Sequence, residues 1–293
     1  MAPLLPSPVP TWHNDTYASI DPTKGALSQK GKTVIITGAG SGIGRATAIA
    51  FSQANADHIV LTGRTESKLR ETESLIRYSN KDVQLSIVVG SVTDETQMKE
   101  AASNIGPWDI LILNAAVVND PKPILSQSVE EAWSVVETNF KSIFVMAHAF
   151  LGSAKESAGL FNIGAAGSAL PARVAPNIGP YVSSKAGVAK LVEHLAIENS
   201  QVLMCTVHPG VIPTPMLQKS GMDESSLPFD TVELAAHFLV WLSQTEKTRF
   251  LHGKYVYANS DVDELSAKAQ DIKVSDENTT GVIGWPFGYE VKF

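Results

Sequence analysis

The sequence predicts a single doubly wound α/β domain, a seven-stranded parallel sheet flanked by helices on both faces. Three observations carry that prediction. Seven short runs are apolar throughout rather than alternating, at residues 33–37, 58–62, 83–89, 110–113, 160–163, 202–207 and 255–257. Stretches with helical character lie between them, near 43–54, 66–78, 94–104, 128–151, 181–199 and 230–243. A glycine-rich turn, Thr37-Gly38-Ala39-Gly40-Ser41-Gly42-Ile43-Gly44, joins the first run to the first helical stretch. Continuous apolar strands that alternate with helices belong to a parallel sheet buried on both faces and built with right-handed crossovers.

Bulk properties bound the rest. The 293 residues suit one large α/β domain, and 44% hydrophobic with 18% charged residues is a globular composition. A formal charge of −7 argues against gripping nucleic acid or an anionic membrane surface by bulk electrostatics. One cysteine, Cys205, cannot form an intrachain disulfide, and its apolar run makes it a buried strand thiol. The first ten residues hold four prolines and no basic stretch followed by an apolar one, so no secretory signal is expected. No apolar run approaches the ~20 residues of a membrane helix. The expected protein is soluble and cytoplasmic. Residues 1–30 read as an arm over the domain, 31–260 as the domain itself, and 261–293 as a C-terminal extension whose aromatic residues pack on a neighbouring surface. Paired metal-ligand spacings and the Gly-x-Ser-x-Gly elbow of an α/β-hydrolase are both missing from the sequence.

The glycine turn is the first chemical signal. Gly38, Gly42 and Gly44 let the backbone turn tightly and let a pyrophosphate approach the free N–H groups opening the first helix. Ser41 and Ile43 belong to the same turn. The second signal is Tyr181 and Lys185 in Gly179-Pro180-Tyr181-Val182-Ser183-Ser184-Lys185, one helical turn apart. A free tyrosine titrates near ~10; an ammonium beside it, with an oxidised nicotinamide ring, favours phenolate and lowers that value. Pro180 suits the first turn of a helix. Alone, a Tyr-x-x-x-Lys spacing is common on solvated helices. Downstream of a dinucleotide loop it points to hydride transfer at a carbon–oxygen centre.

From about residue 32 to 259 the sequence resembles the short-chain dehydrogenase/reductase family, whose catalytic domain is Rossmann-type. Thr37–Gly44 matches its TGxxxGIG motif, Tyr181 to Lys185 its YxxxK motif, and Pro209-Gly210-Val211-Ile212-Pro213-Thr214 its PG motif. The Trp12-His13-Asn14 arm and the tail from Asp261 resemble a fungal branch of that family. The resemblance implies that Tyr181 is the general acid/base and that Lys185 lowers its pKa and binds the nicotinamide ribose. It implies that Asn139 disrupts its helix and supports a proton relay, that Asn114 shapes the cofactor floor, and that Ile212 and Thr214 face the nicotinamide amide and phosphates. Residues from about 214 to 229 would form a lid, with Met216, Leu217, Met222 and Leu227 suggesting an apolar substrate.

Two regions depart from the family, the adenosine end of the cofactor site and the substrate-holding serine. The second strand ends Leu61-Thr62-Gly63-Arg64, without the acid that accepts ribose hydroxyls in NAD enzymes. Arg64 suits a 2′-phosphate, which favours NADP(H) over NAD(H); the alternative is a solvated arginine. Ser91-Val92 stands where the family has Asp-Val beside the adenine, so a serine takes the place of the acid. The substrate-holding serine is the second departure. Registering on the strand end Asn162-Ile163-Gly164-Ala165 puts Ala165 in its place, whereas counting thirteen residues back from Tyr181 reaches Ser168. Both anchors stay open.

The expected function is therefore an NADP(H)-dependent oxidoreductase interconverting a ketone and a secondary alcohol on a small, apolar, secondary-metabolite-like molecule. Isomerisation, dehydration or cyclisation without net redox is the alternative, and a non-enzymatic dinucleotide sensor a third reading. The apolar helices near 128–151 and 181–199 suggest a homodimer or homotetramer.

Overall fold

A computed structural model describes residues 7–221 and 229–281. Its seven strands are β1 (Thr33–Thr37), β2 (His58–Gly63), β3 (Gln84–Val89), β4 (Trp108–Leu113), β5 (Ala154–Ile163), β6 (Leu203–His208) and β7 (Tyr255–Tyr257). They form one parallel sheet in the order β3-β2-β1-β4-β5-β6-β7. The cause is visible in β1, where Val34, Ile35 and Ile36 are all fully buried, so both faces need covering. On one face lie α1 (Gly42–Gln53), α2 (Glu66–Ser79) and α8 (Val232–Leu242), contributing Phe51, Leu69 and Phe238. On the other lie α3 (Glu95–Ile105), α5 (Ser142–Phe150) and α6 (Gly179–Glu198), contributing Met98, Met146, Phe150 and Val188. Strand order reverses between β1 and β4, and a doubly wound sheet opens its binding crevice at the carboxyl ends there.

The helical stretch near 128–151 is not one helix. It consists of α4 (Val129–Val136), a π-helical turn (Glu137–Lys141) and α5. A capping box between Ser128 and Glu131 starts it. The widened turn carries Asn139, whose amide donates to the Val117 carbonyl (2.9 Å) and whose oxygen accepts from the Val117 N–H (2.8 Å). Apolar periodicity runs straight through this turn, which is why the sequence pattern reads as continuous. β5 also begins six residues before its expected start, because its first half carries Lys155 and Glu156 and lacks an apolar run.

The N-terminal arm lies across the end of β7. His13 N–H donates to Asn259 O, Asn259 Nδ2 donates to His13 O, and Thr11 bonds the Glu264 carboxylate through its N–H and its hydroxyl. Beyond β7 the chain forms α9 (Val262–Ala267) and α10 (Ala269–Val274). It then covers the outer edge of β7, where Tyr255 N–H donates to Asn278 O (2.6 Å). The expected packing of Trp285 and Phe287, and the lid residues Met222 and Leu227, lie outside the described residues. No helix among the described residues is long and apolar enough to cross a membrane. Cys205 is buried, its thiol on the Leu251 carbonyl.

Candidate active site

A cavity of about 690 Å³ opens at the carboxyl ends of β1, β4, β5 and β6. One end is the glycine turn. Gly38 has φ +67°, a left-handed conformation, and a Cβ there would stand 2.8 Å from Asn114 Nδ2. A Cβ on Gly44 would fall 2.4 Å from the Gly38 carbonyl oxygen, so only glycine lets α1 approach the turn this closely. The opening N–H groups of α1, with Ser41, Gly42 and Ile43, thus border the cavity. Asn114 ties the floor together: its amide donates to Thr37 O (2.8 Å) and Gly38 O (3.3 Å), and its N–H to Thr37 Oγ1.

Beyond β2 the exposed Arg64 lines the cavity with Thr65 and Lys68. Lys68 escaped the sequence reading, although it follows Arg64 by four residues at the start of α2. Arg45, the other cation near the turn, is held by the Glu71 carboxylate and the Gly40 carbonyl. Ser91 and Val92 form the adjoining wall, with the Ser91 hydroxyl 2.8 Å from Thr93 Oγ1.

Tyr181 and Lys185 enter the cavity from the first turns of α6, where Pro180 sits at the helix start. The Tyr181 hydroxyl has no hydrogen-bond partner among the described residues. Its pKa is pushed up to about 12 by burial, the opposite of the sequence expectation. Desolvation of the phenolate is the cause, and the Lys185 ammonium is engaged elsewhere, its Nζ donating to the Ile163 carbonyl at 2.6 Å. Burial lowers Lys185 in turn, to about 8. Asn139 does not touch either side chain directly. Its amide donates to Ser184 Oγ (3.0 Å), and Ser184 donates to the Tyr181 carbonyl (2.7 Å). Ser184 is the tie between the π turn and α6.

The two serine anchors separate cleanly. Ala165 lines the cavity and Ser168 does not. The Ser168 hydroxyl donates to Ala165 O (2.6 Å) and lies 3.4 Å from the Tyr255 hydroxyl, which donates to the same carbonyl. Gly167 and Leu170 on either side of Ser168 line the cavity, while the Ser168 hydroxyl is turned onto the main chain.

The fourth wall is the turn after β6. Gly210 has φ +99°, and a Cβ there would meet Asp230 Oδ2 at 2.5 Å. Asp230 accepts from Val211 N–H (2.6 Å), Asn14 Nδ2 (2.6 Å) and Asn259 Nδ2 (2.9 Å). Burial raises its pKa, and these three donors oppose the rise. No motif announces Asp230; tertiary folding brings arm, turn and β7 to it. Pro209, Ile212 and Thr214 border the cavity beside it, and Thr214 caps α7 (Pro215–Lys219) by accepting from Leu217 N–H.

The comparisons agree with this architecture. The family described as short chain dehydrogenase matches residues 32–225. The short chain dehydrogenase/reductase nsrO of Aspergillus novofumigatus is 33% identical over 89% of this chain and 91% of its own. The short chain dehydrogenase mpl6 of Monascus purpureus is 32% identical over 91% of this chain and 94% of its own. Levodione reductase superposes with a TM-score of 0.70 at 22% identity, covering 81% of this chain and 98% of that one, which is a likeness of fold. The chain belongs to the short-chain dehydrogenase/reductase family of oxidoreductases.

Proposed function

We propose that the protein is an NADP(H)-dependent reductase of small apolar ketones, acting in fungal secondary metabolism, with Tyr181 as the general acid/base. The observation that carries this reading is the opening of the Tyr181 phenol and the Lys185 ammonium into the cavity that the glycine turn borders. The residues present fit a dinucleotide: Gly38 and Gly44 leave a cradle that a Cβ would fill, and the positive end of α1 faces it. Gly38, Ser41, Gly42, Ile43 and Gly44 would hold the pyrophosphate. Arg64, joined by Lys68, would hold a 2′-phosphate, which favours NADP(H) over NAD(H). Ser91, Val92 and Asn114 would border the adenine and floor, and Pro209, Gly210, Ile212 and Thr214 the nicotinamide end. When bound, the coenzyme supplies the hydride.

The chain's own residues then manage the proton. Burial keeps Tyr181 a neutral phenol across the physiological range, the form that donates a proton to a carbonyl oxygen. Lys185 carries the positive charge nearest the forming alkoxide, and its Ile163 contact fixes where that charge stands. Asn139 holds α6 in register through Ser184, and Ser168 secures the loop beneath Ala165. Leu170, Val174, Ile178, Met216 and Leu217 line the rest of the cavity and suit an apolar substrate. Assembly as a homodimer or homotetramer would use the exposed apolar residues Val129, Trp133 and Phe144 on α4 and α5.

Ala165 favours a second reading, in which the same site isomerises, dehydrates or cyclises without net redox. Mixing NADPH with apolar ketones separates the two. The first reading predicts loss of the reduced-nicotinamide absorbance in step with alcohol formation, and tighter binding of NADPH than of NADH. Product formed with that absorbance unchanged contradicts it.

A further inference from the structure

His208 closes β6 and lines the cavity, yet only 4% of it is exposed. Neither of its ring nitrogens has a hydrogen-bond partner among the described residues. A buried imidazole whose two nitrogens both lack a partner is costly, because each tautomer strands a donor and an acceptor. Such a group in a cavity wall is matched to something that enters the cavity.

Its placement identifies what. Val207 packs on the α1 and α8 side of the sheet, so the next residue along β6 faces the α6 side, where Tyr181 and Lys185 lie. The strand register pairs Val207 with Ile163, so the next step places His208 beside Gly164 and close to Ala165. Gly164 has no side chain, and a Cβ there would meet Thr206 Cγ2 at 2.8 Å and the Tyr255 hydroxyl at 3.0 Å. The ring is fixed edge-on to Tyr257, with centroids 5.4 Å apart, and Tyr257 is flanked in turn by Trp12 at 6.1 Å. Burial pushes the imidazole down to about 4, so it remains neutral, with one N–H to give.

We propose that His208 is the substrate-orienting residue of this site, donating a hydrogen bond to the reacting carbonyl oxygen where Ala165 offers only a methyl group. The inference rests on the ketone-reductase reading and adds a substrate class. Trp12 and His208, both packed on Tyr257, line the cavity together with apolar residues, which suits a planar aromatic ketone.

The test uses the full chain with NADPH and three carbonyl probes: isatin, menadione and acetophenone. His208→Phe keeps the ring against Tyr257 and removes both nitrogens; His208→Gln restores a donor. The expected result is a fall of ~10²–10³-fold in kcat for His208→Phe with KM little changed, the signature of a bond that strengthens in the transition state. His208→Gln recovers most of it. NADPH affinity by fluorescence titration and the melting temperature stay at wild-type values. A ring-nitrogen shift of His208 in ¹⁵N-histidine NMR, on adding isatin to the NADP⁺-saturated protein, reports the contact without turnover. Wild-type kcat in His208→Phe, or a change confined to KM, overturns the assignment. Lost NADPH binding in both variants also overturns it, since His208 then serves the coenzyme. A wild-type protein inactive on all three probes defeats the ketone-reductase reading itself, and the inference falls with it.

Discussion

Lys185 Nζ donates to the main-chain carbonyl of Ile163 at 2.6 Å, tying α6 to the last residue of β5. One bond thereby sets the distance between the Tyr181-bearing turn and the strand end that places Ala165 in the cavity.

The charge on that lysine gives a pH prediction. Lys185 titrates near 8 and Tyr181 near 12, so the phenol stays protonated while the ammonium is lost. Ketone reduction should hold steady at neutral pH and decline as pH rises through about 8. Stability moves the other way. The folded value lies below the ordinary 10.5, so the unfolded chain binds more protons between them, and stability rises with pH over that window. Denaturant titrations should show this slope, and Lys185→Met should flatten it.

Gly44→Ala puts a Cβ within 2.4 Å of the Gly38 carbonyl oxygen, a backbone atom that cannot step aside. Overpacking there should cost about 1–3 kcal/mol and displace α1 from the turn. Calorimetric titration should find NADPH binding abolished in a chain that remains folded by circular dichroism.

Arg64→Ser and Lys68→Ser should each weaken NADPH far more than NADH. Losing a charge-assisted contact to a phosphate removes about 1.5–3 kcal/mol, at least a tenfold change in the ratio of the two dissociation constants. Parallel fluorescence titrations with both coenzymes supply the ratio. Equal weakening for both would place these cations elsewhere.

Asp230→Ala leaves the Val211 N–H and the Asn14 and Asn259 amides without their acceptor. Stranded buried donors cost about 1–3 kcal/mol each when water cannot reach them. The melting temperature should drop, and limited proteolysis should cut the N-terminal arm first. Asp230→Asn keeps acceptor capacity and should fall between the variant and wild type.

The sheet was readable because each strand is an unbroken apolar run, as in Val34-Ile35-Ile36, and each helix between two strands has to cover a face. The glycine turn and the Tyr181–Lys185 pair are local in sequence, so their spacing survives into the fold. What stayed hidden depends on contacts made at a distance. The resemblance places a helix disruption at Asn139, but not the main-chain N–H and carbonyl of Val117, 22 residues away, that its side chain binds. Ser168 and Ala165 compete for one position in the sequence, and only the folded loop shows that Ala165 lines the cavity. Asp230 and His208 belong to no motif, yet the fold sets one at the hub of the arm and the other, buried and without a partner among the described residues, in the cavity wall. The burial that raises the Tyr181 pKa likewise has no trace in a four-residue spacing.

The central claim is that the Tyr181 hydroxyl delivers the proton. The most direct measurement is single-turnover oxidation of NADPH by Tyr181→Phe in the presence of a reducible ketone, with coenzyme binding checked alongside. Removing a positioned general acid should slow that step ~10²–10⁴-fold while NADPH affinity holds. A variant that binds NADPH and oxidises it at the wild-type rate would contradict the account.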